Sequence, residues 1–275
     1  MGWLRYGCLL CLLPWLGLRA EPMQLVDTFA SLKPRADGPP AEAGILQQLL
    51  ELYPSPYQQV EISRNRAREW TKTAGNACIP WLRKTADRET TYLFTLPYML
   101  ESAIALVTLQ GSRWQSQLEQ LQDPQGRISL QLLFNQHRPP LLGVELNRSY
   151  GNTLDALLQR HQSLLYTRST AGEYVGSMLP MLQKGFVDLM LEYPKIAARS
   201  TTPLRVWPLA EAESFNLVHF ACSRSPQGQK IVALLNSIIR QRATEPAYQQ
   251  LIQQQLAPTE RSAGLQYWLQ TLATR

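Results

Sequence analysis

The order in which strand and helix patterns alternate constrains the fold of this chain more than any other feature. Three strands are predicted in the first third, over residues 23–29, 57–62 and 77–82. They are separated by an apolar helical stripe over residues 45–53 and by a helix over residues 64–73. A β-α-β-α-β order is accommodated most simply by a parallel sheet covered with helices.

The same alternation returns in the second half of the chain and predicts a second lobe. Strands are predicted over residues 141–146, 164–167 and 187–191, and helices over residues 152–162 and 175–182 separate them. This second β-α-β unit can enclose a hydrophobic core of its own. We therefore expect an α/β chain of two lobes, each with a mostly parallel sheet flanked by helices.

The remaining segments connect or cover these two units. Residues 33–43 form a predicted loop, and residues 94–108 are predicted to be extended because Pro97 excludes a continuous helix. The polar segment 110–140 has no clear periodicity. The tail contains further predicted strands and helices over residues 204–208, 215–222, 226–239, 246–255 and 264–273. We expect the tail helices to pack on the first lobe.

The first twenty residues have the pattern of a cleaved export signal. Arg5 precedes an apolar stretch over residues 6–18, and a cleavage site follows Ala20. About a dozen apolar residues are too few to span a membrane, which takes about 20. We therefore expect an exported mature chain that spans no membrane.

Cysteine use is consistent with an oxidising compartment. Cys8 and Cys11 lie in the predicted signal, so Cys78 and Cys222 are the pair that remains. Exported proteins commonly bridge such a pair, and a single disulfide is predicted. Two separately buried, unbridged cysteines are the alternative.

Charge and motif content disfavour several functional classes. The net charge of +6 is mild, and lysine and arginine form no run typical of a nucleic-acid site. His137, His161 and His219 are scattered without metal-ligand spacing. Residues 147–151, NRSYG, lack the first glycine of a nucleophile elbow, and no phosphate-binding or dinucleotide motif is present. We expect no cofactor, no metal and no nucleic-acid partner.

A segment at the end of the third strand carries the strongest functional signal. Residues 82–98, LRKTADRETTYLFTLPY, place Arg88 just beyond the apolar strand, a good position for holding an anion. The segment resembles the T-x-x-R, F-T and P-Y pattern of the bacterial extracellular solute-binding proteins of family 3. This resemblance implies that Arg88 grips the α-carboxylate of a ligand. A strand cap, or a surface ion pair with Asp87 or Glu89, is the alternative for Arg88.

The resemblance continues in the same order into the second lobe. Family members have a turn there that is rich in glycine or serine and opens a helix, and residues 143–151, GVELNRSYG, occupy this position. The resemblance places Ser149 and Tyr150 at the N-terminus of that helix, whose unpaired N–H groups suit a carboxylate. Arg148 is either a further anion contact or a solvent-facing residue.

A third landmark of the family is an aspartate at the end of a later strand, which receives the ligand's ammonium group. In residues 185–194, GFVDLMLEYP, Glu192 is the nearest carboxylate, one residue earlier than the family spacing and followed by Tyr193. A strand-end carboxylate with a local partner is the alternative for Glu192. The E-Y-P form, with the cysteine in the third strand, resembles a divergent proteobacterial subgroup of the superfamily.

Two departures from the amino-acid binders bear on the ligand. Trp81 and Arg83 stand seven and five residues before Arg88, where the family has serines or threonines. The loop at residues 33–40 lacks the aromatic residue that stacks on an amino-acid ligand. Trp81 either stacks on a ligand or packs at a lobe edge. The additional arginines suit a solute that is more anionic or larger than a standard amino acid.

The resemblance implies a two-lobed, type II periplasmic-binding-protein-like fold behind an export signal over residues 1–20. Lobe one would comprise residues 21–108 and 209–275, and lobe two residues 109–208. The implied function is capture of a small, carboxylate-bearing solute by a monomeric periplasmic protein, for the permease of an ABC-type importer. The alternatives are an exported enzyme resembling cyclohexadienyl dehydratase with Glu192 as acid or base, a periplasmic sensor or partner-binding domain, and a two-lobed fold without a ligand.

Overall fold

The computed structural model describes residues 22–29, 32–33, 40–169 and 178–274. The predicted export signal, residues 34–39 of the predicted loop and residues 175–177 of a predicted helix lie outside these described residues. Within the described ranges, the chain forms eleven strands and eleven α-helices.

The observed elements follow the predicted order closely. The strands are β1 (Met23–Asp27), β2 (Tyr57–Glu61), β3 (Ala77–Arg83), β4 (Tyr92–Phe94), β5 (Met99–Ser102), β6 (Ala105–Leu109), β7 (Leu142–Glu145), β8 (Leu165–Arg168), β9 (Leu189–Glu192), β10 (Leu204–Pro208) and β11 (Phe215–Ser223). The helices are α1 (Ala41–Glu51), α2 (Arg64–Thr73), α3 (Ala86–Thr91), α4 (Gln115–Gln120), α5 (Leu130–Phe134), α6 (Asn152–Arg160), α7 (Leu179–Gln183), α8 (Pro194–Ala197), α9 (Pro226–Ala243), α10 (Pro246–Gln254) and α11 (Arg261–Ala273). None of the helices in these ranges is long and apolar enough to cross a membrane.

Six strands form the first sheet, in the order β2-β1-β3-β11-β4, with β5 also paired to β11. Strand β1 is parallel to both β2 and β3, as the β-α-β-α-β order predicts. Strand β11 returns antiparallel to β3, β4 and β5. This returning strand ties the tail of the chain to its first third.

Five strands form the second sheet, in the order β10-β6-β9-β7-β8. Strand β7 is parallel to β8 and β9, as predicted for the second β-α-β unit, whereas β6 is antiparallel to both β9 and β10. The chain crosses to this sheet between β5 and β6 and returns between β10 and β11. We call the parts built on the two sheets the first lobe and the second lobe.

The tail helices pack on the first lobe, as predicted. Residues of α1, α9, α10 and α11 share one hydrophobic cluster with the first sheet, in which Trp268, Tyr98 and Tyr248 are the largest fully buried side chains. Tyr248 Oη donates to Tyr98 O at 2.7 Å, and Trp268 Nε1 donates to Pro97 O at 2.9 Å. The polar atoms of both rings are therefore satisfied although the rings are buried. The second lobe has two hydrophobic clusters of its own, and Trp207 is its largest fully buried side chain.

The predicted disulfide is present, and the alternative of two unbridged cysteines is excluded. Cys78 of β3 and Cys222 of β11 are opposite each other in the antiparallel ladder and are bonded across a sequence separation of 144 residues. Both side chains are buried. The bridge links the third strand to the strand that returns from the second lobe.

The segment after β3 contains a helix that the sequence pattern did not indicate. Helix α3 follows Thr85, whose Oγ1 accepts a hydrogen bond from the Arg88 backbone N–H at 3.3 Å. Asp87 and Glu89 favour this helix because they lie at the positive end of its dipole. Arg88 therefore projects from a short helix and not from a turn. The unassigned segment 110–140 likewise contains two short helices, α4 and α5.

Candidate functional site

Two adjacent cavities lie between the lobes. The inner cavity has a volume of about 90 Å³ and the outer one about 640 Å³. Arg68 and Arg88 of the first lobe and Arg148 and Ser149 of the second line both cavities, so they mark the junction. The other residues that line the inner cavity are Glu42, Arg64, Trp81, Leu82, Arg83, Met99, Glu101, Tyr193, Asn216 and Val218.

Arg88 spans the cleft from the first lobe to the second. Its Nη1 donates to Arg83 O at 2.9 Å, and its Nη2 donates to Asn147 O at 3.1 Å. Asn147 has a φ of 63°, a left-handed conformation that asparagine tolerates, in the turn after β7. Burial, followed by repulsion from Arg68, lowers the pKa of Arg88 to about 10. Within the described residues, the guanidinium hydrogen-bonds to these carbonyl groups and forms no ion pair with a carboxylate, and a weaker attraction to Asp155 only partly offsets the lowering of its pKa.

Helix α2 adds two arginines to the same cleft, Arg64 and Arg68, which the sequence analysis missed. Arg64 Nε lies 3.4 Å from Oδ1 of the buried Asp27. Arg68 Nη1 donates to Asn65 Oδ1 at 3.3 Å and has no carboxylate partner in the described part of the chain. Burial, followed by repulsion from Arg64, lowers the pKa of Arg68.

The sequence does contain a signal for these two arginines. They are four residues apart and share one face of α2, where like charges destabilise a helix. The first turn of α2 contains no acidic residue, so Arg64 also opposes the positive end of the helix dipole. Arg66, between them, is exposed and lines neither cavity. Arg64 and Arg68 are like charges that destabilise their own helix on the face that lines the cleft, and such a pair indicates a functional site.

The carboxylate predicted to receive an ammonium group is bound to a protein arginine. Arg148 Nη1 and Nη2 donate to Glu192 Oε2 and Oε1 at 3.1 and 2.8 Å, and Glu145 Oε2 lies 3.4 Å from Nη1. Burial alone would lower the pKa of Arg148, but attraction to Glu192 and Glu145 outweighs it and raises the pKa. Glu192 is 1% exposed and lines neither cavity. Glu192 is therefore a strand-end carboxylate with a local partner, Arg148. Arg148 lines the cleft and does not face solvent.

Ser149 and Tyr150 occupy different positions relative to the cleft. Ser149 lines both cavities, and its hydroxyl donates to Asp155 Oδ2. Tyr150 is buried in the core of the second lobe, and its Oη accepts from the Glu145 backbone N–H at 2.9 Å. Asp155 Oδ1 also accepts from the Tyr150 backbone N–H at 2.7 Å. The carboxylate of Asp155 thus binds the turn directly before α6, next to the helix N-terminus where a ligand carboxylate was predicted, and Tyr150 lies outside the cleft.

Trp81 and Arg83 both line the inner cavity from the first lobe, as the family spacing suggested. Arg83 Nη2 pairs with the half-exposed Glu213 at 2.6 Å. The same guanidinium packs closely against Gly151 of the second lobe. A Cβ atom added at Gly151, where φ is 116°, would lie only 3.0 Å from Arg83 Nη2. The buried Nε1 of Trp81 has no hydrogen-bond acceptor among the described residues.

A buried lysine forms a second cross-lobe contact that the sequence analysis did not predict. Lys195 Nζ of the second lobe lies 2.7 Å from Glu42 Oε1 and 2.9 Å from Glu101 Oε1 of the first, and it donates to Gln255 Oε1 at 3.2 Å. Burial would lower the pKa of Lys195, but Glu101 and Glu42 raise it. Burial would raise the pKa of each glutamate, but Lys195 lowers it. All three groups therefore stay charged and paired.

Asn216 connects this lysine network to the inner cavity. Its Nδ2 donates to Glu101 Oε2 at 3.0 Å and to Tyr193 Oη at 2.6 Å. Its Oδ1 is buried and has no donor partner in the described residues. Asn216 thus presents one neutral acceptor at a cavity lined largely by donors.

Solved structures of amino-acid-binding proteins are similar to this one in fold. An ancestral arginine-binding protein bound to arginine aligns with a TM-score of 0.61 at 10% identity, over 84% of this chain and 95% of that one. A substrate-binding protein of an amino acid ABC transporter from Streptococcus pneumoniae, bound to L-arginine, aligns with a TM-score of 0.61 at 13% identity, over 85% and 93%. An ancestral amino-acid-binding protein, a precursor of cyclohexadienyl dehydratase, aligns with a TM-score of 0.57 at 13% identity, over 84% and 92%.

These identities support a likeness of fold alone. The chain has the two-lobed α/β fold of the periplasmic binding proteins, as predicted. No protein-family model and no curated protein matches its sequence. The chemistry of the cleft must therefore be argued from its own residues.

Proposed function

We propose that this chain is an exported, periplasmic solute-binding protein that captures a small, carboxylate-bearing solute between its lobes. Residues 1–20 would be its export signal, and the mature monomer would pass its solute to the permease of an ABC-type importer. The fold that it shares with amino-acid-binding proteins supports capture of a solute in the interlobe cleft.

The observation that carries this proposal is the pair of guanidinium groups of Arg68 and Arg88 at the junction of the two cavities. Neither has a carboxylate partner in the described residues. Burial and repulsion from a neighbouring arginine lower the pKa of each. Two partly buried cations of this kind are stabilised strongly by an anion, because a carboxylate pairs bidentately with guanidinium N–H groups and little water screens the attraction.

Capture of the solute would be coupled to closure of the lobes. Arg88 already contacts Asn147 O of the second lobe, and an anion on its remaining N–H groups would join the lobes at the same place. Such a ligand favours the closed form because it makes these contacts only there. Ser149 remains the proposed second-lobe contact of the solute, with Trp81 and Arg83 as contacts from the first lobe.

Tyr150 and Glu192 are proposed to support the site indirectly, by holding the Arg148 side chain in place. Glu192 binds the Arg148 guanidinium through both oxygens. The rings of Tyr150 and Tyr193 lie 5.1 and 5.3 Å from the same guanidinium, a favourable cation–π distance. Tyr150 and Glu192 would therefore position Arg148 and have no direct contact with the solute.

Calorimetry on Arg88→Ala tests the proposal. A thermal-shift screen of organic acids and amino acids first identifies a carboxylate that binds the unmodified protein. Arg88→Ala should then weaken its binding by about 30-fold or more, because loss of a desolvated charged contact costs about 2–5 kcal/mol. Arg66→Ala, on the same lobe but outside the cavities, is the matched control and should bind normally. Retained affinity in Arg88→Ala would contradict the proposed function.

A further inference from the structure

We infer, on the basis of the proposed function, that the solute of this cleft carries two acidic groups and no ammonium group. A dicarboxylate and a carboxylic acid with a phosphoryl group both have this charge pattern. An α-amino acid does not have it.

The first reason is the supply of unused N–H donors at the junction of the cavities. A guanidinium group has five N–H donors. Arg88 uses two nitrogens for its bonds to Arg83 O and Asn147 O, and Arg68 uses one for its bond to Asn65 Oδ1. Most donors of both groups therefore remain for a ligand. The buried Nε1 of Trp81 adds a neutral donor that lacks an acceptor in the described part of the chain.

The second reason is that one carboxylate satisfies only one of these guanidinium groups well. Bidentate pairing uses both oxygens of a carboxylate on a single fork. A monocarboxylate that pairs with Arg88 would leave Arg68 beside it without an anion in the closed cleft. A second acidic group on the same solute pairs with Arg68 and removes the repulsion between the two cations.

The third reason is that neither cavity offers an ammonium group a buried carboxylate that is still unpaired. In the outer cavity, Glu69 pairs with Lys72, Asp155 accepts from Ser149 and Tyr150, and Asp87 is exposed to solvent. The inner cavity offers no more. Its two carboxylates, Glu42 and Glu101, are both paired with Lys195 at 2.7 and 2.9 Å. Among the described residues that line it, the buried acceptor without a partner is Oδ1 of Asn216. An ammonium group has three donors, so its transfer from water to one neutral oxygen is unfavourable.

Glu192 does not supply the missing carboxylate. Both of its oxygens accept from Arg148, and it lines neither cavity. The carboxylate nearest to the family's ammonium-binding position is thus used to hold another cation, Arg148, at the cleft. It is therefore not available to an ammonium group of the solute.

Four probes of similar length separate these charge patterns on the unmodified protein. Calorimetry would compare succinate, 3-phosphonopropionate, butyrate and 4-aminobutyrate. At least one of the two diacids should bind about tenfold or more tightly than butyrate, because a second charged hydrogen-bonding group contributes about 1.5–3 kcal/mol. The tighter diacid identifies the second group as carboxylate or phosphoryl. The ammonium group of 4-aminobutyrate should give no gain over butyrate.

The variant Arg68→Gln tests whether Arg68 binds the second acidic group of the solute. In this variant the preference for the diacid over butyrate should fall to about onefold to threefold, since butyrate needs only Arg88. Arg66→Gln, two residues away on the same helix, should keep the full preference. An unchanged preference in a folded Arg68→Gln protein would overturn the assignment.

Different results would contradict the proposed function and the inference that the solute is a diacid. If 4-aminobutyrate or an α-amino acid binds as tightly as the diacids, and Arg88→Ala abolishes that binding, the proposed function stands and the diacid inference is wrong. If no carboxylate binds, with or without a second charge, the proposed function itself is wrong.

Discussion

Lys195 and Arg88 both reach across the cleft between the lobes, but only Lys195 meets carboxylates there. Lys195 lies between Glu42 and Glu101, whereas Arg88 meets two backbone carbonyl groups. Attraction to its partners raises the pKa of Lys195 despite burial, and burial without a partner lowers that of Arg88 to about 10. A partly buried cation at the lobe interface thus has its counter-ions within the chain in one place and lacks a paired carboxylate in the other.

This difference distinguishes a structural contact between the lobes from a proposed binding site in the same cleft. A buried cation with its counter-ions in the chain holds two segments together and needs no further group. A buried cation without them is held there at a cost in stability, and perturbed groups of this kind are typical of functional sites. The lysine network is therefore the proposed structural contact between the lobes, and the Arg68–Arg88 pair is the proposed binding site.

The largest loss of folding stability is expected from breaking the ion pairs of Lys195 with Glu42 and Glu101. Lys195→Met leaves Glu42 and Glu101 without their cation, and breaking a buried ion pair costs about 3–5 kcal/mol. The side chains are 13–19% exposed, so solvent screens them little. Urea titration with the disulfide intact measures this loss in free energy of unfolding. Lys230→Met, an exposed position on α9, is the control and should change stability by less than about 0.5 kcal/mol. Equal stability of the two variants would show that the lysine network does not hold the lobes.

A smaller loss is expected from Glu192→Gln. The amide keeps the shape of the side chain but turns one acceptor facing Arg148 into a donor, which costs about 1–3 kcal/mol of folding stability. Affinity for a carboxylate probe should fall much less than in Arg88→Ala, because Glu192 acts only by positioning Arg148, which Glu145 still neutralises, and lines neither cavity itself. Urea titration and calorimetry on the same preparation check both statements. Normal stability combined with a selective loss of binding of ammonium-bearing ligands would restore the ammonium-binding role of Glu192.

Most of the fold follows from local patterns that a single sequence carries. The parallel pairing of β1, β2 and β3 follows from β-α-β order, and the tail helices follow from their apolar stripes. The Cys78–Cys222 bridge was predicted from the number of cysteines and the expected oxidising compartment, and the pairing of β11 with β3 explains how the two residues meet. Helix α3 was missed because the segment was compared with a family pattern, although Thr85 and the acids that follow it form an ordinary helix start.

The candidate site was predictable only where one segment carries it. Trp81, Arg83, Arg88 and Ser149 line the cleft, and all were chosen from short motifs. Lys195 was missed because its partner Glu42 is 153 residues away in sequence, and no local pattern reports such a pairing. The exclusion of Glu192 from the cleft has the same origin, because it depends on an arginine from a different strand end.

Unfolding of Arg88→Gln and Lys195→Met, each with and without a saturating diacid, tests the central claim most directly. At neutral pH the Arg88 guanidinium is charged in both the folded and the unfolded state, so the penalty that lowers its folded pKa is fully present. Arg88→Gln removes this penalty together with the hydrogen bonds to Arg83 O and Asn147 O. It should therefore lose less stability than Lys195→Met without ligand, and it should lose the increase that the diacid gives, about 2.7 kcal/mol at 100 times its Kd. Lys195→Met should start from a lower stability and keep that increase. If Arg88→Gln instead loses as much unliganded stability as Lys195→Met and is still stabilised by the diacid, the account is contradicted.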